Sequence, residues 1–180
     1  HIASQIISII KGREPSPDEV AALVGRYEQL LPAHLAARQG SLMPSIPAIL
    51  EHFHHSSRYI SLLLTGNTTA GAKAKLTRYG IIDYFNFDLS ALADNCPDRL
   101  QLAANALSKV RHRWPDISTD NIYVIGDTPN DIRCGKYINA RTVAVATGGY
   151  SFEELQKHAP WWCVEKLPAP EEFERKLLEV

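Results

Sequence analysis

The sequence predicts an α/β domain, a three-layer doubly wound parallel sheet, preceded by an all-helical stretch. Two observations carry the prediction. From Ser41 onward, short apolar runs of strand length alternate with amphipathic helical segments. Strands separated by helices pair in parallel and are covered on both faces through right-handed crossovers. One of these runs, residues 122–125, ends in Gly126-Asp127, and a helix start follows at Thr128-Pro129-Asn130-Asp131. That places two carboxylates at the carboxyl edge of a strand, where open α/β sheets bind ligands.

Each element follows from its local pattern. Ile2, Ile6, Ile9 and Ile10 recur at helical spacing, and Gly12 offers a stop. Ser16-Pro17-Asp18-Glu19 is a helix start, with a capping serine, proline at the first position and glutamate three residues on. Val20, Leu23, Val24, Tyr27, Leu30 and Leu31 form the stripe of that helix, which Pro32 should kink or end. Residues 46–53 read as a helix and 59–64 as a strand. The turn Thr65-Gly66-Asn67 and a helix through Leu76 come next, and Gly80 ends that helix. Residues 84–87 read as a short strand, and 97–113 as a helix with Leu100, Ala103, Ala104 and Leu107 on one face. Three strand–helix pairs complete the chain: 122–125 with 129–137, 142–146 with 152–157, and 161–164 with 170–178. Trp161-Trp162-Cys163 packs the last strand into the core.

With 180 residues, 45% hydrophobic and 22% charged, the chain fits one domain with a small appendage, divided here at 1–40 and 41–180. A formal charge of -1 gives no electrostatic case for nucleic acid or an anionic membrane. No apolar run approaches a membrane span. Cys96, Cys134 and Cys163 are odd in number and lack zinc-site spacing, which argues against a disulfide framework and makes the cytoplasm the expected location. The sequence begins at His1, its only methionine is Met43, and no signal-peptide pattern is present; a further amino-terminal segment is expected.

The polar residues at the strand ends are the candidates for chemistry. Asp127 at a strand tip and Asp131 in the first helical turn suit a hard cation such as Mg2+. Asp131 also completes a capping box with Thr128, which explains it without a metal; Asp127, directly after a strand and a glycine, has no such explanation. Thr65, with the backbone of Gly66 and Asn67, offers a hydroxyl and N–H groups to phosphate oxygens, although a helix cap and tight turn account for the same residues. Gly66 to Lys73 is not a P-loop, because Ala72 separates Gly71 from Lys73 and Ala74 stands where a hydroxyl is required. His52, His54 and His55 read as a solvated helix end.

Together these residues resemble the haloacid dehalogenase-like hydrolases, in particular the branch similar to phosphoglycolate phosphatases. Leu63-Leu64-Thr65-Gly66-Asn67 is similar to the second motif of that family and Gly126-Asp127-Thr128-Pro129-Asn130-Asp131 to the fourth. Arg141 to Gly148 is similar to the strand that follows. The resemblance implies a Rossmannoid core, and it makes residues 1–40 part of a helical cap. It also implies a Mg2+-dependent phosphatase of small phosphorylated metabolites, with Thr65, Gly66, Asn67 and Arg99 at the phosphoryl group and Asp127 and Asp131 at the metal. Two departures stand out. Asp94-Asn95-Cys96-Pro97-Asp98-Arg99 lacks the usual lysine of the third motif, and Arg99 is assigned its role. The Asp-x-Asp of the first motif, source of the nucleophile, occurs nowhere in these residues, so that strand is expected upstream, between the Thr65 and Asp127 strands. Without it the sheet should show a central gap with two unpaired edges. Carbon–halogen hydrolysis and a non-catalytic phosphate- or partner-binding relic are the alternatives.

Overall fold

A computed structural model describes residues 2–96 and 98–179. Two helices come first: α1 (Ile2–Lys11) and α2 (Pro17–Ala37). Ser16 caps α2 in a full capping box with Glu19. The Glu19 carboxylate also binds Lys11 and Arg13, clamping the α1–α2 turn, and these bonds hold its pKa far below the usual carboxylate range. Of the two outcomes expected at Pro32, a kink or an end, the end does not occur, since α2 runs on to Ala37. Pro32 lies on the exposed side, where the carbonyl four residues back can turn to solvent, while Leu31 beside it is buried.

The remaining elements alternate as predicted: α3 (Ile46–His54), β1 (Leu64–Thr65), α4 (Thr69–Arg78), β2 (Ala91–Leu92), α5 (Arg99–Arg113), β3 (Tyr123–Gly126), α6 (Pro129–Tyr137), β4 (Arg141–Val145), α7 (Phe152–Gln156), β5 (Trp162–Val164) and α8 (Pro170–Leu177). Pro97, expected to open α5, lies outside the described residues. All ladders are parallel, which gives the predicted α/β class. The first strand is much shorter than residues 59–64 suggested: Ser61 makes only an isolated bridge to Phe85. Residues 84–87 are no strand either, since a 3-10 turn occupies Ile82–Tyr84 and the partner of β1 is Ala91–Leu92.

The strands form two sheets, β1–β2 and β3–β4–β5, and no ladder joins β1 to β3 among the described residues. The helices hold the two together. Ala103 of α5, Cys134 of α6 and Ile138, which caps the end of α6, form one cluster, against which both Leu64 of β1 and Val124 of β3 pack. On the opposite face, Ile49 and Phe53 of α3 join Val143 and Val145 of β4 and Phe173 and Leu177 of α8. The expected gap is therefore seen as two strands sharing a helical layer without sharing hydrogen bonds. Ile125 of β3 is 46% exposed, whereas Val143 on the paired strand β4 is 1% exposed.

Candidate active site

Three loops build the site. The first follows β1. The Thr65 Oγ1 atom accepts from the Asn67 backbone N–H at 3.2 Å and from Asn67 Nδ2 at 2.8 Å, and Asn67 Oδ1 accepts from Lys75 Nζ at 2.6 Å. Thr68 caps α4, accepting from the Gly71 N–H at 3.1 Å and donating its own proton to Glu28 of α2. Asn67 thus turns its backbone N–H inward, onto Thr65.

The second loop, between β2 and α5, links the other two. Asp94 accepts from the Thr69 backbone N–H at 2.9 and 3.0 Å and from its hydroxyl at 2.7 Å, which ties this loop to the start of α4. Asp98 caps α5, accepting from the Gln101 N–H at 2.7 Å. Arg99, exposed in the first turn of α5, reaches across the gap: its Nη2 lies 3.6 Å from Asp131 Oδ1, an ion pair in the first turn of α6. The Cys134 thiol donates to the Arg99 carbonyl at 3.4 Å, and burial pushes its pKa up, so it is a packing group.

The third loop follows β3. Asp131 completes the predicted capping box, its Oδ2 accepting from Thr128 N at 3.1 Å and Oγ1 at 2.6 Å. Both carboxylates lean on glycine. A Cβ on Gly126 would stand 2.4 Å from the Asp131 carboxyl carbon, and one on Gly148 would stand 2.0 Å from Asp127 Oδ2. Any side chain at either glycine would displace an acid. Asp127 makes no hydrogen bond among the described residues, which leaves both its oxygens for a ligand.

The structure thus brings Arg99 to Asp131 and sets Asp127 beside them, with the Thr65–Asn67 loop joined to this group through Asp94. The capped N-termini of α4, α5 and α6 meet at this edge, and helix N-termini favour anions. The donor set fits a hard cation: two carboxylates, one of them uncommitted, match the one or two that Mg2+ takes alongside waters. Among the described residues no group of three or more His, Cys, Asp or Glu could hold a metal alone.

Comparison with known proteins agrees with this architecture. The HAD-hydrolase-like family model matches residues 97–169. Among solved structures, a Clostridium difficile protein named as a candidate phosphatase superposes with a TM-score of 0.69 at 21% identity, covering 99% of this chain and 78% of that one. A family IA, variant 3 HAD hydrolase from Entamoeba histolytica superposes with a TM-score of 0.74 at 16% identity, covering 97% of this chain and 78% of that one. The fold is haloacid dehalogenase-like. No curated protein sequence matches it. The matched stretch holds Arg99, Asp127, Asp131 and Gly148, whereas the Thr65 loop is related to the haloacid dehalogenase-like pattern only through the shared fold. No helix among the described residues is long and apolar enough to cross a membrane.

Three contributors escaped the sequence reading: Lys75, Glu28 and Gly148 in its contact role. Lys75 is two helical turns beyond Asn67, a spacing that signals a shared face only once α4 is known to start at Thr69. The histidine cluster also divides. His55 pairs with Glu51 at 2.8 Å and is exposed, as expected of a solvated end, but His52 is partly buried and bonds Glu174 of α8 at 2.6 Å.

Proposed function

We propose that the protein is a Mg2+-dependent hydrolase of small phosphate monoesters acting through an aspartyl-phosphate intermediate. The observation that carries this reading is the bridging of loops: Asp94 to Thr69 and Arg99 to Asp131 draw the carboxyl ends of β1, β2 and β3 around one edge. In this scheme α1 and α2 belong to a cap, consistent with the contact of Tyr27 and Leu31 of α2 with Gly71 of α4 and with the Glu28–Thr68 bond beside the phosphate loop. The cap would exclude water and select the substrate, a small phosphorylated metabolite. A cytoplasmic setting belongs to the same reading, on the free thiols of Cys96, Cys134 and Cys163.

The attacking aspartate is not among these residues, since no Asp-x-Asp occurs in the sequence. A strand carrying it would fit between β1 and β3, pairing with both unjoined edges. Its carboxylate oxygen would bond to phosphorus as the ester oxygen departs with a proton, and water would then cleave the acyl phosphate. Thr65, the Gly66 backbone N–H and Arg99 would stabilise the phosphoryl oxygens, while the Asn67 backbone N–H, expected to join them, is committed to Thr65 and orients it instead. Bound Mg2+, held by Asp127 and Asp131, would screen the like charges of nucleophile and substrate. A second reading is a non-catalytic phosphate-binding protein, in which the Thr65 loop and Arg99 hold phosphate without turnover.

The test is hydrolysis of p-nitrophenyl phosphate by the protein expressed from its complete reading frame, with Mg2+ and with chelator. Mg2+-dependent turnover that falls by at least about a hundredfold in Asp127→Ala is expected. Turnover indifferent to both chelator and Asp127→Ala would sink the assignment, and phosphate binding without turnover would favour the second reading.

A further inference from the structure

We propose that Lys75 is a positioning residue that makes the Thr65 hydroxyl a hydrogen-bond donor toward a bound phosphoryl group. The inference rests on the phosphate-binding reading of the Thr65 loop and adds a residue to it.

The geometry determines the polarity of a three-member chain. An ammonium group can only donate, so the Asn67 atom 2.6 Å from Lys75 Nζ must be the carboxamide oxygen. The amide nitrogen then faces Thr65 and donates to Oγ1 at 2.8 Å. The Asn67 backbone N–H donates to the same oxygen at 3.2 Å. A hydroxyl has two acceptor sites and one donor, so both acceptor sites are taken and only the proton remains to be placed. Among the described residues nothing accepts it. Thr65 is the last residue of β1, at the carboxyl edge where α4, α5 and α6 begin. Phosphoryl oxygens there would be acceptors and would match this one remaining donor.

Without Lys75 the carboxamide loses the partner that orients it. A half-turn about its last bond would bring Oδ1 to Thr65, where it would accept the hydroxyl proton and remove the donor from the site. Lys75 therefore acts through Asn67. This differs from direct contact with phosphate, and the two are separable.

The experiment titrates inorganic phosphate into the protein expressed from its complete reading frame and follows the Asn67 carboxamide and the Gly66 and Asn67 amides by NMR. Lys75→Met should weaken phosphate binding roughly tenfold, less than the roughly hundredfold loss from Thr65→Val, which removes the donor itself. Lys75→Arg, which retains a donor toward Asn67, should recover most of the loss. The double variant Lys75→Met, Asn67→Leu should bind phosphate no more weakly than Asn67→Leu alone. A lysine with a merely structural role would lower the melting temperature of Lys75→Met and leave phosphate affinity unmoved. That result, or losses that add in the double variant, would overturn the proposal while the phosphate site stands. Failure of the unmodified chain to bind phosphate would overturn the phosphate reading and this proposal with it.

Discussion

The β3–β4–β5 half and the β1–β2 half of the molecule are held by different forces. In the first, four residue pairs join β3 to β4 and three join β4 to β5. Val143, Ala144, Leu155 and Phe173 there are almost wholly buried. In the second, β1 and β2 share two residue pairs, and residues 61–65 are only half-buried. Polar side chains take the place of apolar packing. The buried Ser90 hydroxyl accepts from the Leu63 N–H at 2.9 Å and donates to the Asn86 carbonyl at 2.6 Å. Lys109 of α5 donates to the Ser90 carbonyl at 2.7 Å, and Asp94 and Lys75 secure the loop beyond. The proposed metal carboxylates thus stand on the rigid half and the proposed phosphate loop on the half organised by directional bonds. A group that holds phosphate only when correctly oriented is well served by such bonds, and the proposed cation ligands by a stiff strand end.

Two substitutions break this comparison from opposite sides. Phe173 is fully buried, stacks on Trp162 at 5.8 Å and meets Phe53 at 5.7 Å. Phe173→Ala should cost about 3–5 kcal/mol and unfold both halves together in a denaturant titration, because α3 and α8 share that cluster. Ser90→Ala should cost about 1–3 kcal/mol by stranding the Leu63 N–H. Its signature is local: hydrogen exchange should quicken around residues 61–67 and stay unchanged in β3 and β4. Quickening across both sheets would mean that the β1–β2 half has no local opening of its own and exchanges only through global unfolding.

The same contrast explains what could be read from the sequence. Periodicity and capping boxes are local, and α2 and α6 start at their capping serine and threonine as the pattern indicates. Gly126-Asp127 marks a strand tip because the apolar run before it is a ladder of normal length. The β1–β2 region was misread because its apolar residues, 59–64, have backbone bonds that go partly to side chains such as Ser90. Side-chain-to-backbone bonds across 27 residues leave no periodic trace. Lys75, Glu28 and Gly148 were missed for the same reason, since each acts on a residue that folding, not spacing, brings to it. Arg99 illustrates the limit of motif reading: its position was assigned, but its pairing with Asp131 follows only from α5 crossing the gap.

The smallest expected effect sharpens how the two halves are joined. Helix α3 precedes β1 in sequence but is packed in the core of the other half, and its polar end is tied to α8. Glu174 Oε2 bonds His52 at 2.6 Å, and Oε1 bonds Arg58, just beyond α3, at 2.5 Å. These partners, the His52 bond foremost, hold the Glu174 carboxyl below its ordinary value of 4.5. Tyr59 also faces it, and burial together with the Glu174 charge pushes that phenol above 10, so it stays neutral in acid. A carboxyl with a depressed folded pKa adds stability that is complete above the unfolded value and disappears as pH falls through the folded one. Wild type should therefore melt above Glu174→Gln at pH 6, and the difference should shrink below about pH 4.5 and close in stronger acid. Comparing the two proteins at each pH cancels the depressed carboxyls they share, Glu19, Glu51 and Glu154. A melting-temperature gap that stays constant from pH 6 to pH 3 would show that Glu174 contributes shape alone, leaving the apolar face of α3 as the tie between the segment leading to β1 and the rigid half.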